Sequence, residues 1–344
     1  MPKPPRSIPL HEWPEADRLS WQAACRKGLR LKPGGRASHL GDVSREDYER
    51  RYGAFLGFLQ RQNLLAGEVI AAAHVTQSNV DAYLADLKSR VSSVTTYNCI
   101  AKLKRIARLI APEADFSWLA EIENDLACVM EPRSKFERFV FTQVLVEAGL
   151  RRIAEAQEPG KDPLSSAREV RNGLMIALLA LRPIRLKNFA ALELGTTFKK
   201  QHDSWWILLS AKATKNRRAD EGRVQELLYP AIDLYLGQSR PVLLSKGVES
   251  NALWISSTTG RALTKKNLGT LISKITLETV GVNVSPHLFR MAGASTSALL
   301  AGDLPHLGSA LLGHIDPRLT EEHYRRVSSI NASMTYSAIV RTLV

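Results

Sequence analysis

The sequence predicts a mainly α-helical protein of two domains with one small antiparallel β region. Apolar residues recur at helical spacing along most of the 344 residues, and one aromatic and aliphatic run at 204–210 is typical of a strand. A polar segment that contains proline, 131–135, separates two helical blocks. We therefore expect a helical domain over residues 1–131 and a mostly helical domain with a small antiparallel sheet over 132–344.

The N-terminal domain is expected to begin with a proline-rich arm, residues 1 to about 12, which is either a loose tail or a segment that orders on binding. Ser44, followed by Asp47, resembles a helix-capping pair, and Thr76 is placed to open a helix. The predicted helices cover residues 14–29, 44–63, 76–87 and 93–110, and a short one starts at 118.

The C-terminal domain is predicted to hold the only β region. The strand at 204–210 is followed by a charged turn at 212–218 and a partner strand at 223–228, before Pro230. Helices are predicted near 137–155, 165–182, 230–239, 264–280, 287–300, 304–313, 318–327 and 331–343.

The charge balance favours a polyanionic partner. The net charge is +13, from 47 Lys and Arg against 34 Asp and Glu, and residues 131–344 carry +10 of it. Three widely spaced cysteines match neither a disulfide framework nor a zinc site, so we expect a reducing compartment. No apolar run approaches the ~20 residues of a membrane span, and we expect a soluble, cytoplasmic protein.

One predicted helix concentrates basic side chains on one face. Lys102, Lys104, Arg105 and Arg108 lie opposite the apolar face of the segment 93–110. Such a face is either simply solvated or contacts phosphates, and the overall charge favours phosphate contact.

Five polar residues in the C-terminal domain form a set that suits phosphodiester chemistry: Arg185, His287, Arg290, His314 and Tyr324. Arginine binds phosphate oxygens bidentately and keeps its charge. The first histidine lies one helical turn before the second arginine, so both side chains can face one point. The glycine before the second histidine permits close backbone approach. Together the residues predict an enzyme that cuts and rejoins DNA through a phenol nucleophile.

The tyrosine is selected by its neighbours. Tyr324 follows a histidine and precedes two arginines, and positive surroundings favour a phenolate. Tyr336 lacks basic neighbours, and the other six tyrosines lie on apolar helical faces or beside Pro230, positions typical of packing.

In these residues the sequence resembles the tyrosine recombinase family of the phage-integrase type, over nearly the whole chain. The resemblance implies a helical core-binding domain and a mostly helical catalytic domain with a small sheet. It also implies a catalytic set in the order Arg185, a lysine, His287 with Arg290, His314 and Tyr324. Three features depart from the family's commonest pattern: Asn188 replaces a carboxylate, Pro183 replaces a glycine, and the spacing of the last two residues is longer by one.

The family's lysine has two candidates here. Thr214-Lys215-Asn216 resembles the β-turn lysine of one branch, whereas Lys212 aligns with another, and we favour Lys215. An ammonium group on a hairpin turn can protonate the departing 5′-oxygen.

The resemblance implies a site-specific recombinase or integrase that acts through a 3′-phosphotyrosyl intermediate, without metal, ATP or cofactor. It implies double-stranded DNA as the substrate and a tetramer on two DNA sites, with the C-terminal helix, 331–343, packed in trans. A helix docked in cis is the alternative for that segment. The alternative function is a non-catalytic DNA-binding protein on the same fold. A metal-dependent hydrolase lacks a carboxylate spaced as a ligand beside the histidines.

Overall fold

The computed structural model describes residues 6–65, 70–133, 136–214, 217–244, 249–300 and 307–312. The chain divides into two compact units, an N-terminal unit, Met1–Ser134, and a C-terminal unit, Lys135–Val344. Over the described residues the architecture is mainly α-helical with one three-stranded antiparallel sheet, which is the predicted fold class.

The N-terminal unit is helical throughout its described residues. Its helices are α1 (Glu15–Cys25), α2 (Asp42–Arg61), α3 (Gln77–Arg90), α4 (Ser93–Ile110) and α5 (Ser117–Cys128). Thr76 caps α3 as predicted, since its side chain accepts a hydrogen bond from the amide of Asn79 at 3.3 Å. The core lies along α2, where Tyr52 and Phe55 are fully buried beside Tyr83 of α3.

Two expectations for this unit were wrong. The described part of the proline-rich arm is packed, because Ile8 and Trp13 are buried and the Ile8 amide donates to the Gly53 carbonyl at 3.1 Å. Burial of these two apolar side chains offsets the entropy of ordering the segment. Ser44 does not cap α2, which begins after Gly41 without a side-chain cap.

The C-terminal unit packs its helices around α7. Its helices are α6 (Thr142–Ala156), α7 (Pro163–Leu181), α8 (Leu186–Ala190), α9 (Tyr229–Leu234), α10 (Arg240–Leu243), α11 (Lys265–Val280), α12 (Pro286–Leu300) and α13 (Leu307–Leu312). Asp162 caps α7 by accepting from the Ser165 amide at 2.8 Å, and Pro163 takes the first turn, where no amide is needed. Residues 172–180 are all buried.

The sheet has the order β1 (Phe198–Gln201), β2 (Ser204–Leu209) and β3 (Asp220–Arg223), with both pairs antiparallel. Alternate residues of β2 are buried, and Trp205 stacks on Phe198 with ring centroids 5.1 Å apart. Leu209 pairs with Asp220, so this aspartate lies at the base of the loop 210–219.

The outer strands differ from the prediction. No sequence pattern indicated β1, and the partner strand is Asp220–Arg223 rather than 223–228, where Glu226–Leu228 forms a 3-10 turn. Neither outer strand is rich in β-branched residues, so pairing with β2 decides their conformation. The predicted helices at 318–327 and 331–343 lie outside the described residues.

Candidate active site

Two of the predicted arginines come together at the junction of α7 and α8. Arg185 is the residue before α8, with an extended backbone, and Arg290 lies on α12. Both side chains are half-buried. The sequence predicted this pairing across about a hundred residues of chain, and the fold brings it about.

Arg290 is held by backbone carbonyls from two other elements. One terminal nitrogen donates to the Pro183 carbonyl at 2.5 Å, and the other donates to the Leu312 carbonyl at 2.6 Å. Charge-assisted hydrogen bonds of this length fix the plane of the guanidinium. Arg290 therefore joins the α7–α8 junction, α12 and the end of α13.

The charged state of the arginine pair is electrostatically unfavourable when no anion is bound. Burial is the main cause that lowers the pKa of Arg290 to about 10, and the like charge of Arg185 lowers it further, whereas Asp220 acts in the opposite direction. The fold thus holds two cations close together in a partly desolvated place. An anion bound between them would relieve both penalties.

Two residues that the sequence analysis missed connect the sheet to this pair. Arg182 forms an ion pair with Asp220 at 2.6 Å. Its guanidinium lies flat against Gly222, where any Cβ atom would overlap it. The ion pair fixes the base of the loop 210–219 beside Arg290. Arg182 lies three positions before Arg185, and this proximity could have indicated it as a site residue. No feature of the sequence indicated Asp220.

The loop 210–219 carries both candidate lysines. Lys212 is exposed, and Lys215 lies outside the described residues. Thr214 is buried, and its hydroxyl donates to the Arg218 carbonyl at 2.6 Å. The described part of the loop is therefore closed by a hydrogen bond between its two arms.

The other predicted site residues are only partly described. His287 is exposed in the first turn of α12, one turn before Arg290. His314 and Tyr324 lie outside the described residues. In the sequence, His314 follows by two positions the leucine whose carbonyl accepts from Arg290.

An open groove lies at the starts of α8 and α12. It has a volume of about 580 Å³ and lies between α11 and the starts of α8 and α12. Its lining includes Lys265, Lys266, Leu186 and Pro286, and the last two are sequence neighbours of Arg185 and His287. Two lysines, at the start of α11, lie on one side of the groove.

The predicted basic face of α4 is divided. Lys102 lies 3.2 Å from Asp47 and over the ring of Tyr48, and Lys104 forms an ion pair with Glu123. Arg105 and Arg108 are exposed. The two lysines are thus neutralised within the N-terminal unit, which leaves the two arginines as the exposed cations of this face.

Neither a metal cluster nor a membrane span occurs among the described residues. Within them, no group of three or more His, Cys, Asp and Glu side chains is arranged to hold a metal ion. No helix in the described ranges has both the length and the apolar character needed to cross a membrane.

Comparison with solved structures assigns the fold. The chain is similar to the XerH site-specific recombinase bound to difH substrate in a pre-cleavage complex, with TM-score 0.55, 14% identity and coverage of 83% of this chain and 78% of that one. It is also similar to XerH bound to palindromic difH substrate in a post-cleavage complex, with TM-score 0.56, 14% identity and coverage of 96% and 98%. No protein-family model and no curated protein matches the sequence. The chain has the tyrosine recombinase fold.

Proposed function

We propose that this protein is a site-specific DNA recombinase or integrase that cleaves and rejoins double-stranded DNA through a covalent link to Tyr324. The observation that carries the proposal is the arginine pair, Arg185 and Arg290, held close together and partly buried on the tyrosine recombinase fold. The net charge of +13 and the two lysines that line the groove at the start of α8 agree with a DNA substrate.

In the proposed reaction the two guanidinium groups bind the non-bridging oxygens of the scissile phosphate. Charge builds up on these oxygens in the transition state, where fixed donors in a water-poor site stabilise it most. His287 and His314 are proposed as further donors. Because the arginines supply the positive charge, the reaction needs no metal ion.

The nucleophile is the phenol oxygen of Tyr324, which forms a bond to phosphorus while the bond from phosphorus to the 5′-oxygen breaks. The phenol loses its proton to solvent, and the departing oxygen gains one from Lys215, with Lys212 as the alternative donor. The product is a 3′-phosphotyrosyl link and a free 5′-hydroxyl. Attack by the 5′-hydroxyl of a partner strand reverses these steps and rejoins DNA without ATP.

The proposed working assembly is a tetramer on two DNA sites, formed in the cytoplasm. Residues 331–343 combine Met334, Ala338 and Ile339 with polar positions, and a helix of this length is marginal alone. We propose that it packs on a neighbouring protomer. Removal of the residues after Ser328 then leaves a protein that binds one half-site but does not pair two sites.

Covalent capture tests the proposed reaction on duplexes of many sequences at once. The purified chain is mixed with a pool of duplexes of randomised sequence, each with a nick beside the central phosphate so that the cleaved end is lost. Protein that resists removal from DNA in SDS is recovered, and the attached DNA is sequenced. We expect adducts that share one sequence and form in the presence of EDTA.

The matched variants are Tyr324→Phe and Tyr336→Phe, each of which loses one phenol oxygen. With the captured site, the first should form no adduct and retain wild-type affinity, and the second should form adducts normally. An adduct that survives Tyr324→Phe would reject this nucleophile. DNA binding without any adduct from the wild-type chain would favour a non-catalytic DNA-binding protein.

A further inference from the structure

The N-terminal unit contains a strongly basic segment outside the predicted DNA-binding helix. Residues 18–41 include six Lys and Arg and no Asp or Glu, a net of +6, whereas residues 1–130 as a whole carry only +3. The rest of this unit is therefore slightly acidic. The net positive charge of this unit therefore comes from one segment.

The centre of that segment is an ordered hairpin, residues 26–36, which we call the basic hairpin. The Gly35 amide donates to the Arg26 carbonyl at 2.9 Å, and Leu29 and Lys32 exchange two hydrogen bonds of 3.0 Å across the tip. The two arms meet at Gly28 and Gly34, where a Cβ on either would come within 2.8 Å of the opposite chain. The hairpin is built from close backbone pairing, and its side chains face outwards.

The exposed side chains of the basic hairpin are of two kinds. The first kind is cationic and comprises Arg26, Lys27, Arg30, Lys32 and Arg36. A guanidinium nitrogen of Arg36 lies 4.0 Å from a carboxylate oxygen of Glu113. In the described ranges the other four cations have no carboxylate within ion-pair distance. The second kind is apolar: Leu29 is 74% exposed and Leu31 94% exposed. An apolar tip on a basic ribbon is a costly surface in water unless a partner covers it.

We propose that the basic hairpin is a second DNA-binding element of this protein, which binds phosphates with its cations and places the apolar tip against sugars and bases. Charge complementarity favours DNA over a protein as the partner. The segment has six basic residues and no acidic residue, and DNA is a uniformly negative polymer. A narrow hairpin of two paired chain segments is also of a size that the major groove of duplex DNA admits. The proposal rests on the DNA substrate proposed above and adds the surface that binds it.

The test compares two pairs of exposed cations in the N-terminal unit of the full chain. The first variant is Arg30→Gln with Lys32→Gln, in the basic hairpin, and the control is Arg61→Gln with Lys88→Gln. Each removes two charges. Affinity for a labelled duplex is measured by fluorescence anisotropy over a range of salt concentrations.

We expect the hairpin pair to reduce the slope of log K against log salt by about 2, since each phosphate contact contributes ~0.9. The control pair should leave the slope unchanged. Equal losses in both pairs would show an effect of net charge alone and overturn the proposal. Unchanged DNA binding by the hairpin variant would also overturn the proposal. In that case, covalent capture of DNA by the wild-type chain would show that the proposed function still holds.

The apolar tip is tested by Leu31→Ser, with Leu19→Ser of α1, which is 52% exposed, as the control. The tip variant should bind DNA about 5-fold more weakly at an unchanged salt slope, because an apolar contact releases no counterions. If it instead binds one half-site normally and only loses self-association in sedimentation, the tip contacts a second copy of this chain and the DNA assignment is wrong.

Discussion

The arginine pair of the C-terminal unit and the basic face of α4 are both clusters of cations, but they have different neighbours. Arg290 is partly buried beside another cation, which lowers its pKa. Lys102 and Lys104 lie beside carboxylates, which neutralise them. The difference teaches that sequence charge alone does not identify a phosphate site. The neighbours that the fold gives each cation distinguish the two clusters.

The largest expected effect distinguishes the roles proposed for two cations, Arg290 and Lys215. Arg290→Ala and Lys215→Ala should each slow single-turnover cleavage by about 100-fold or more. A substrate with sulfur in place of the 5′-bridging oxygen has a leaving group that needs little protonation. It should restore cleavage to Lys215→Ala and not to Arg290→Ala, because the arginine stabilises charge and supplies no proton. Rescue of Lys212→Ala in place of Lys215→Ala would assign the proton to Lys212.

An intermediate effect tests whether the sheet positions the site. Gly222→Ala places a methyl group where the Arg182 guanidinium lies and should break its ion pair with Asp220. We expect about 10-fold slower cleavage at saturating DNA with unchanged affinity, since a small misplacement of catalytic groups is costly. Gly237→Ala is the control, because nothing lies within 4 Å of its added atom. A Gly222 variant with normal cleavage would show that this ion pair is only structural.

The smallest expected effect concerns α4. Lys104 and Glu123 form a half-buried ion pair. A double-mutant cycle with Lys104→Ala and Glu123→Gln, measured by urea unfolding, should give a coupling of about 0.5–1 kcal/mol. Lys104→Ala should change DNA affinity by less than about 2-fold at constant salt. A large loss of affinity with no coupling would mean that this lysine contacts phosphate, as the sequence alone suggested.

Much of the helical fold could be predicted from local signals. Thr76 marks a helix start by its capping chemistry, and the long apolar faces require helices. The outer strands could not be predicted, because Asp-Glu-Gly-Arg becomes a strand only through pairing with β2. The packed arm was missed because the partner of Ile8 is Gly53, which is distant in sequence.

In the candidate site, too, residues with a local sequence signal were predicted and long-range contacts were not. Arg185 and Arg290 were predicted from their residue types and order, and the structure brings them together. The ion pair between Arg182 and Asp220 was not predicted, because a long-range contact between two ordinary surface residue types leaves no pattern in one sequence. The assignments of Lys215, His314 and Tyr324 stay predictions.

One measurement compares the two cation clusters directly: the cleavage rate at saturating DNA and the DNA affinity, determined together for two variants. Arg290→Ala should reduce the rate by about 100-fold or more with affinity within about 5-fold. Arg105→Ala with Arg108→Ala should weaken affinity and lower its salt dependence, with the saturating rate unchanged. The account would be contradicted if Arg290→Ala lost affinity as much as rate, or if the α4 variant cleaved more slowly at saturating DNA. Either result would mean that catalysis and DNA binding are not separated between the partly buried arginine pair and the exposed arginines of α4.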